Sequence, residues 1–208
     1  QAMDMGVKSY KMFMTYKKRP GRMCDDDLIC KAMELVAQGG GVVQLHCESG
    51  NIIEYLENKL LAEGHTHPTD FPSACPDWAE EEAINRAVMM GEATGCPTYV
   101  VHLSTPLGLE RIKQAQAQGQ RVWTETCPQY LLLSDAEMAR YGPLAKIGPA
   151  PPAGGGAGPA GPVARAGARL HLHRCQRPCA IPAGAEADRL GQHIRGCGRK
   201  VGALWLPR

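Results

Sequence analysis

Short apolar segments alternate with amphipathic segments over residues 7–125, and this alternation limits the fold more than any other feature. Four segments rich in β-branched and aromatic residues are predicted strands, at 7–16, 42–46, 98–103 and 121–125. Helices are predicted at 26–38, 52–63, 79–93 and 106–118. Parallel strands need long crossover connections, so this order predicts a parallel sheet. Four such units are half of an eight-stranded α/β barrel or most of an open doubly wound sheet.

Side chains suited to helix capping and to the helix dipole lie where these helices begin. Asp25, Asn51 and Asp77 are the expected N-caps. The first turn of the third helix carries three consecutive glutamates, at 80–82, which suit the positive end of its dipole.

Motifs and charge exclude several classes of function. No GxGxxG or P-loop pattern follows a predicted strand, which disfavours a nucleotide-binding sheet. A net charge of +2 with 21% charged residues predicts no nucleic-acid partner. No apolar run approaches the roughly 18 residues that a membrane span requires, so no membrane partner is expected. Nine cysteines without regular spacing indicate a reducing, cytoplasmic location.

Composition changes sharply near residue 150. Residues 1–149 contain 14 Lys/Arg and 19 Asp/Glu, whereas residues 150–208 contain 9 and 2. Gly, Ala and Pro make up 30 of the 59 residues in the second part. We therefore divide the chain into a β/α domain, 1–149, and an irregular, basic Gly/Ala/Pro/Arg-rich tail, 150–208.

Three polar residues interrupt or end otherwise apolar strands: Lys11, His46 and His102. The carboxyl ends of parallel strands meet at one edge of the sheet, so both histidines are expected at the same mouth. Taken singly, each histidine is more often a hydrogen-bonded structural residue, and a strand lysine usually lies on a solvated edge. Together on three successive strands they indicate a metal site, because neutral imidazole is a common metal ligand. A buried lysine has a chemical reason to be there if CO2 carbamylates it and turns the amine into a bridging carboxylate.

The segments around these residues resemble dihydropyrimidinases and D-hydantoinases, which are metal-dependent cyclic amidohydrolases. GVKSYKMFMTYK is similar to the strand that carries the metal-binding lysine in that family. VVQLHCESGN and PTYVVHLST resemble its two following histidine strands, and WTETCPQYLLL and LAKIGP resemble the segments after those. The resemblance covers nearly all of residues 6–149 in the family's order, which implies a partial TIM-type (β/α)8 barrel of about four units.

The resemblance also implies roles for individual residues. Lys11 corresponds to a carbamylated lysine that bridges two zinc ions, and His46 and His102 to ligands of the second ion. Tyr16 corresponds to a residue that hydrogen-bonds the substrate and holds the tetrahedral intermediate, and Gly148 lies where backbone groups contact the cyclic amide. The implied reaction is hydrolytic ring opening of a dihydropyrimidine or a 5-substituted hydantoin, and an intact member is expected to be a homotetramer.

Two parts of the family's site have no counterpart here. A His-x-His strand for the first metal is expected upstream of Lys11, and the aspartate that moves the proton is absent as translated. We therefore expect the chain to be an inactive fragment. Two other interpretations stay open: a non-catalytic dihydropyrimidinase-related assembly protein, and a sister hydrolase such as allantoinase or dihydroorotase. Tyr16, five residues after Lys11, favours the dihydropyrimidinase branch.

The tail contains a His171-x-His173 motif and the pair Cys175 and Cys179, for which a metal site is the less favoured interpretation. A basic disordered segment fits its composition. A sharper hypothesis is translation out of frame. A forward shift of one base allows Pro-Leu-Arg from residue 150 and Ser-Asp-His-Ala-Pro from residue 176, which is how the family continues.

Overall fold

The computed structural model describes residues 2–152, in which four parallel strands form one sheet in the order β1-β2-β3-β4. The strands are β1 (Ser9–Phe13), β2 (Val42–His46), β3 (Thr98–Val100) and β4 (Val122–Thr124). The helices are α1 (Asp26–Gln38), α2 (Gly50–Ala62), α3 (Phe71–Ala74), α4 (Asp77–Thr94), α5 (Pro106–Ala117), α6 (Pro128–Leu132) and α7 (Ala136–Tyr141). Short 3-10 turns cover Pro68–Asp70 and Gly142–Ala145.

The hydrophobic core lies between one face of this sheet and the helices α1, α4 and α5. Alternate strand residues point into it, and they are buried: Val43, Leu45, Val100 and Val122. They meet apolar residues from the three helices, including Ile29, Ile84 and Ile112, each of which is at most 1% exposed. Strands in sequential order with their helices on one face are typical of an α/β barrel, whereas a doubly wound sheet has helices on both faces.

The opposite face of the sheet carries a different set of side chains. Lys11 pairs in register with Gln44, Gln44 with Tyr99, and Tyr99 with Trp123, so these four residues lie at one level across the sheet. Trp123 is 45% exposed although it lies in a strand. This face, which would be the interior of a closed barrel, is therefore polar and aromatic rather than aliphatic.

Several predicted boundaries are wrong by a few residues. Strand β1 ends at Phe13 rather than residue 16, and β3 ends at Val100 rather than residue 103. The reason is the backbone beyond each strand, which turns into a loop that contains a residue with positive φ, Tyr16 or His102.

Two of the three predicted helix N-caps are also wrong. Asp25 is the N-cap of α1, as predicted. Ser49 and Pro76 are the N-caps of α2 and α4, so Asn51 and Asp77 lie inside the first turns instead.

The division at residue 149 stays a prediction, because most of the proposed tail lies outside the described residues. The His171-x-His173 motif and the pair Cys175 and Cys179 are in that outside part. Of the three tail residues that are described, Ala150 is buried, and the carbonyl oxygen of Pro152 accepts a hydrogen bond from the Asp135 amide at 3.4 Å. Within residues 2–152 no helix is long and apolar enough to cross a bilayer.

Candidate active site

The two strand-end histidines meet at the carboxyl edge of the sheet. His46 is the last residue of β2, and His102 follows the end of β3 by two residues. Their rings are 4.2 Å apart between centroids and nearly perpendicular, at 72°. His102 Nε2 lies 3.0 Å from His46 Nδ1. The structure thus brings together two residues that are 56 positions apart in the chain, as the strand pattern predicted.

A glutamate that the sequence analysis did not single out fixes the orientation of His46. Glu48 Oε2 lies 2.5 Å from His46 Nε2, and both side chains are buried. Burial and the nearby charge of Lys11 lower the pKa of His46 to about 3, so the ring is neutral. With Nε2–H donating to the Glu48 carboxylate, the Nδ1 lone pair faces His102. The sequence could have indicated this contact, because residues two apart in an extended segment share a face and Glu48 is two residues after His46.

His102 is buried in the same way. Burial, together with His46 and Lys11, lowers its pKa well below the ordinary value for histidine. Its Nδ1 atom is buried, and in the described part of the chain it has no hydrogen-bond partner. Two neutral imidazoles that face each other, one with an unpartnered ring nitrogen, are donor groups of the kind that bind divalent metals.

Lys11 projects from the centre of β1 on the barrel-interior face. More than a third of its surface is open, yet surrounding protein removes enough water to lower the pKa of its amine to about 8. Electrostatic interactions with Cys47, Glu125 and Cys127 oppose this shift in part. The amine lies 5.1 Å from the centre of the Phe13 ring, and that ring lies 5.7 Å from the ring of His46.

Backbone strain occurs at two of the predicted site residues. Among residues 2–152, the non-glycine residues with positive φ are Tyr16, at 69°, and His102, at 45°. Such backbone costs roughly 1–3 kcal/mol, and it persists where the surrounding structure holds it in place. The Tyr16 ring packs edge-on against His46 at 5.1 Å. The two strained positions are therefore adjacent to the same histidine.

Tyr16 and Gly148 border a cavity of about 420 Å³ at this edge of the sheet. Burial raises the pKa of Tyr16 to about 12, so its hydroxyl stays protonated and able to donate. A Cβ atom at Gly148 would lie 3.1 Å from that hydroxyl and 3.9 Å from Glu48 Oε2. Glycine at position 148 therefore leaves the space beside the Tyr16 hydroxyl open.

Several charged side chains line the cavity. Lys17 and Lys18 contribute ammonium groups, which pair with Glu54 and Glu57 of α2 at 2.8 and 2.7 Å. Burial raises the pKa of Glu48, which also lines the cavity, to about 7. The cavity is therefore bordered by charged pairs and by Glu48, the partner of His46, whereas Lys11, His46 and His102 themselves do not line it.

The donor set fits part of a metal site. No group of three or more His, Cys, Asp or Glu side chains in residues 2–152 is arranged to hold a metal ion. The facing nitrogens of His46 and His102 are 3.0 Å apart, a few tenths of an ångström closer than the roughly 3.3 Å expected for two nitrogens bonded tetrahedrally to one zinc ion with Zn–N bonds of about 2.0–2.1 Å. Lys11 would add a ligand only after carbamylation.

Comparison with known proteins identifies relatives of this part of the chain. No protein-family model matches it. A D-hydantoinase from Geobacillus stearothermophilus is 37% identical over 137 residues, which cover 66% of this chain and 29% of that protein. An allantoinase from Bacillus velezensis is 37% identical over 147 residues, covering 70% of this chain and 32% of its own length.

Solved structures agree with the sequence matches. A D-hydantoinase from a Bacillus sp. superposes with a TM-score of 0.68 at 36% identity, over 72% of this chain and 33% of that one. A dihydropyrimidinase from Brevibacillus agri gives a TM-score of 0.67 at 34% identity, over 72% and 33%. The partial TIM-type barrel predicted from sequence is confirmed. The chain spans about a third of the length of the relatives it matches.

Proposed function

Because the chain is a dihydropyrimidinase/D-hydantoinase-like sequence that corresponds to about a third of those enzymes, we propose that it carries the second-metal half of a cyclic-amide hydrolase site. The reaction would add water across a ring amide of a dihydropyrimidine or a 5-substituted hydantoin. The amide C–N bond breaks, a carboxylate forms, and the nitrogen takes up a proton. The observation that carries the proposal is the 3.0 Å approach of His46 Nδ1 to His102 Nε2.

Each residue has a role in this proposal that its surroundings support. His46 and His102 would bind one zinc ion, and Lys11, as a carbamate, would bridge it to a second. When bound, the two ions would supply an activated water at neutral pH and polarise the scissile carbonyl. In the tautomer with the His46 proton on Nε2, Glu48 accepts that proton's hydrogen bond, and Nδ1 would turn its lone pair from His102 to the ion.

Tyr16 and Gly148 would act on the substrate rather than on the metal. The Tyr16 hydroxyl stays protonated, so it can donate to the carbonyl oxygen as negative charge builds there. Gly148 leaves space beside that hydroxyl, and its backbone groups can hydrogen-bond the ring amide.

The lysine amine has the property that carbamylation requires. Only the neutral amine attacks CO2, and a pKa of about 8 leaves about a tenth of the lysine neutral at pH 7. A lysine with a pKa of 10.5 would be neutral about 300-fold less often.

Metal binding by the purified chain tests the proposal. Co2+ is titrated into the 208-residue chain and into His46→Ala and His102→Ala, with His65→Ala as the control. His65 is an exposed histidine whose Nδ1 is 3.7 Å from Asp70. We expect either site substitution to abolish imidazole ligation in the Co2+ spectrum and the control to retain it. Retention of the spectrum by both site variants would refute the assignment.

A ring-opening assay separates enzyme from fragment. We expect no hydrolysis of dihydrouracil or hydantoin by the isolated chain, even with zinc and bicarbonate, and zinc-dependent turnover would contradict that expectation. An allantoinase is the second candidate, because one matches at the same 37% identity as the hydantoinase. Binding of allantoin in preference to a 5-substituted hydantoin, measured by ligand NMR, would select it. A chain that binds neither metal nor ring would favour the assembly-protein interpretation.

A further inference from the structure

Glu80, in the first turn of α4, is a buried carboxyl that the proposed chemistry does not use. It is 4% exposed, and it is the first of the three glutamates that the sequence analysis matched to the positive end of the helix dipole. Four donors converge on it. The Ser104 amide and hydroxyl donate to Oε1 at 3.0 and 3.1 Å, and the Thr105 amide and hydroxyl donate to Oε2 at 2.9 and 2.5 Å.

These four hydrogen bonds hold the loop that follows His102. Ser104 and Thr105 are two and three residues after the histidine, and Thr105 also caps α5 through the Gly108 amide. His102 has a positive φ, which a free loop would relax. Glu80 is therefore placed to keep that strained backbone in position.

The same turn of α4 also holds the other histidine loop. The carbonyl oxygen of Ala79 accepts a hydrogen bond from the Ser49 amide at 3.1 Å, and Ser49 is three residues after His46. Both loops thus attach to two consecutive residues, Ala79 and Glu80, on one rigid helix. The loops that follow the two histidines therefore share one anchor on α4.

We propose that Glu80 is a positioning residue that fixes His102 against His46, by tying the loop after β3 to the same helical turn that holds the loop after β2. Its role as a determinant of metal affinity rests on the proposed function. Its role in imidazole geometry does not. Loss of a group that orients a metal ligand typically costs about 10–100-fold in metal affinity.

Glu80→Gln is the test variant, because the amide keeps the size of the carboxylate but offers only one acceptor oxygen to donors on both sides. Glu82→Gln is the matched control. Glu82 lies in the same helix, two residues further on, and pairs with Arg86 Nε at 2.7 Å, away from both loops. Imidazole 15N spectra are recorded on the metal-free 208-residue chain, followed by Co2+ titration and thermal unfolding.

We expect Glu80→Gln to shift the His102 Nε2 and His46 Nδ1 resonances and to weaken Co2+ binding about 10–100-fold, and Glu82→Gln to change neither. A folded Glu80→Gln with unchanged resonances and affinity would overturn the proposal. The same losses in the control would also overturn it, because they would mean general destabilisation of α4.

Two other experimental outcomes also have a defined interpretation. Should Glu80→Gln fail to fold, Ser104→Ala takes its place, since that change removes one of the four donors and leaves the carboxylate. A smaller shift at His102 supports the proposal, and an unchanged spectrum overturns it. Should the unaltered chain bind no Co2+, the metal proposal fails, while the metal-free spectra still decide the role of Glu80.

Discussion

The amine of Lys11 is expected to titrate about 2.5 pH units below an ordinary lysine. Desolvation beside the barrel-interior face lowers its pKa to about 8, and the charges that oppose the shift do not restore the usual 10.5. At pH 7 the neutral fraction is then about a tenth, against about 0.03% for an unperturbed lysine. Lys31 serves as the comparison, because its hydrogen-bonded ion pair with Asp27 raises the pKa of its amine.

Reductive methylation with 13C-formaldehyde measures this difference directly. Each dimethylated lysine gives an NMR signal whose shift follows its own protonation, and Lys11→Gln identifies the signal of Lys11 by its loss. We expect that signal to titrate near pH 8 and the signal of Lys31 to titrate above the pH of an ordinary lysine. A Lys11 signal that titrates together with the others would refute the desolvation argument, and with it the reason that carbamylation would select this lysine.

Three substitutions test packing and the cavity. Leu103→Ala should lower the free energy of unfolding by about 2–5 kcal/mol in urea denaturation, because Leu103 is fully buried. Leu28 is 52% exposed, so Leu28→Ala should lower the free energy of unfolding much less. Equal losses in the two variants would contradict the assignment of Leu103 to the core. Gly50→Ala should lower the free energy of unfolding by about 1–3 kcal/mol, because its Cβ would come within 2.9 Å of the backbone after β1. An unchanged urea midpoint would show that the structure relaxes to remove this contact. Gly148→Ala should weaken hydantoin binding, because the new Cβ would lie 3.1 Å from the Tyr16 hydroxyl, and it should leave the free energy of unfolding unchanged. Undiminished binding in ligand NMR would show that Gly148 does not contact the ring.

The meeting of His46 and His102 was predictable because it depends on topology alone. Sequential parallel strands place their carboxyl ends side by side, so residues that end two neighbouring strands come together however far apart they are in sequence. The partner of His46 was less visible. Glu48 lies two residues beyond it, outside the strand, and its contact depends on the chain staying extended past the last ladder hydrogen bond.

Glu80 could not have been recognised from sequence, for a different reason. Its partners are 24 and 25 residues away and on another element, so the contact exists only once α4 has packed beside α5. The local pattern indicated only that three successive glutamates suit the positive end of the helix dipole. Burial of one of the three depends on the angle at which the helix meets the sheet, which hydrophobic periodicity does not specify.

Backbone conformation separates the candidate site from the rest of the fold. At a position that needs positive φ, glycine avoids most of the steric cost, and seven glycines in residues 2–152 have such a φ. At Tyr16 and His102 the chain instead has a large side chain and bears the strain. Packing does not require this, since neither residue belongs to the aliphatic core between the sheet and its helices. What the two positions share is contact with His46, so the strain is best explained by the chemistry of their side chains beside that imidazole.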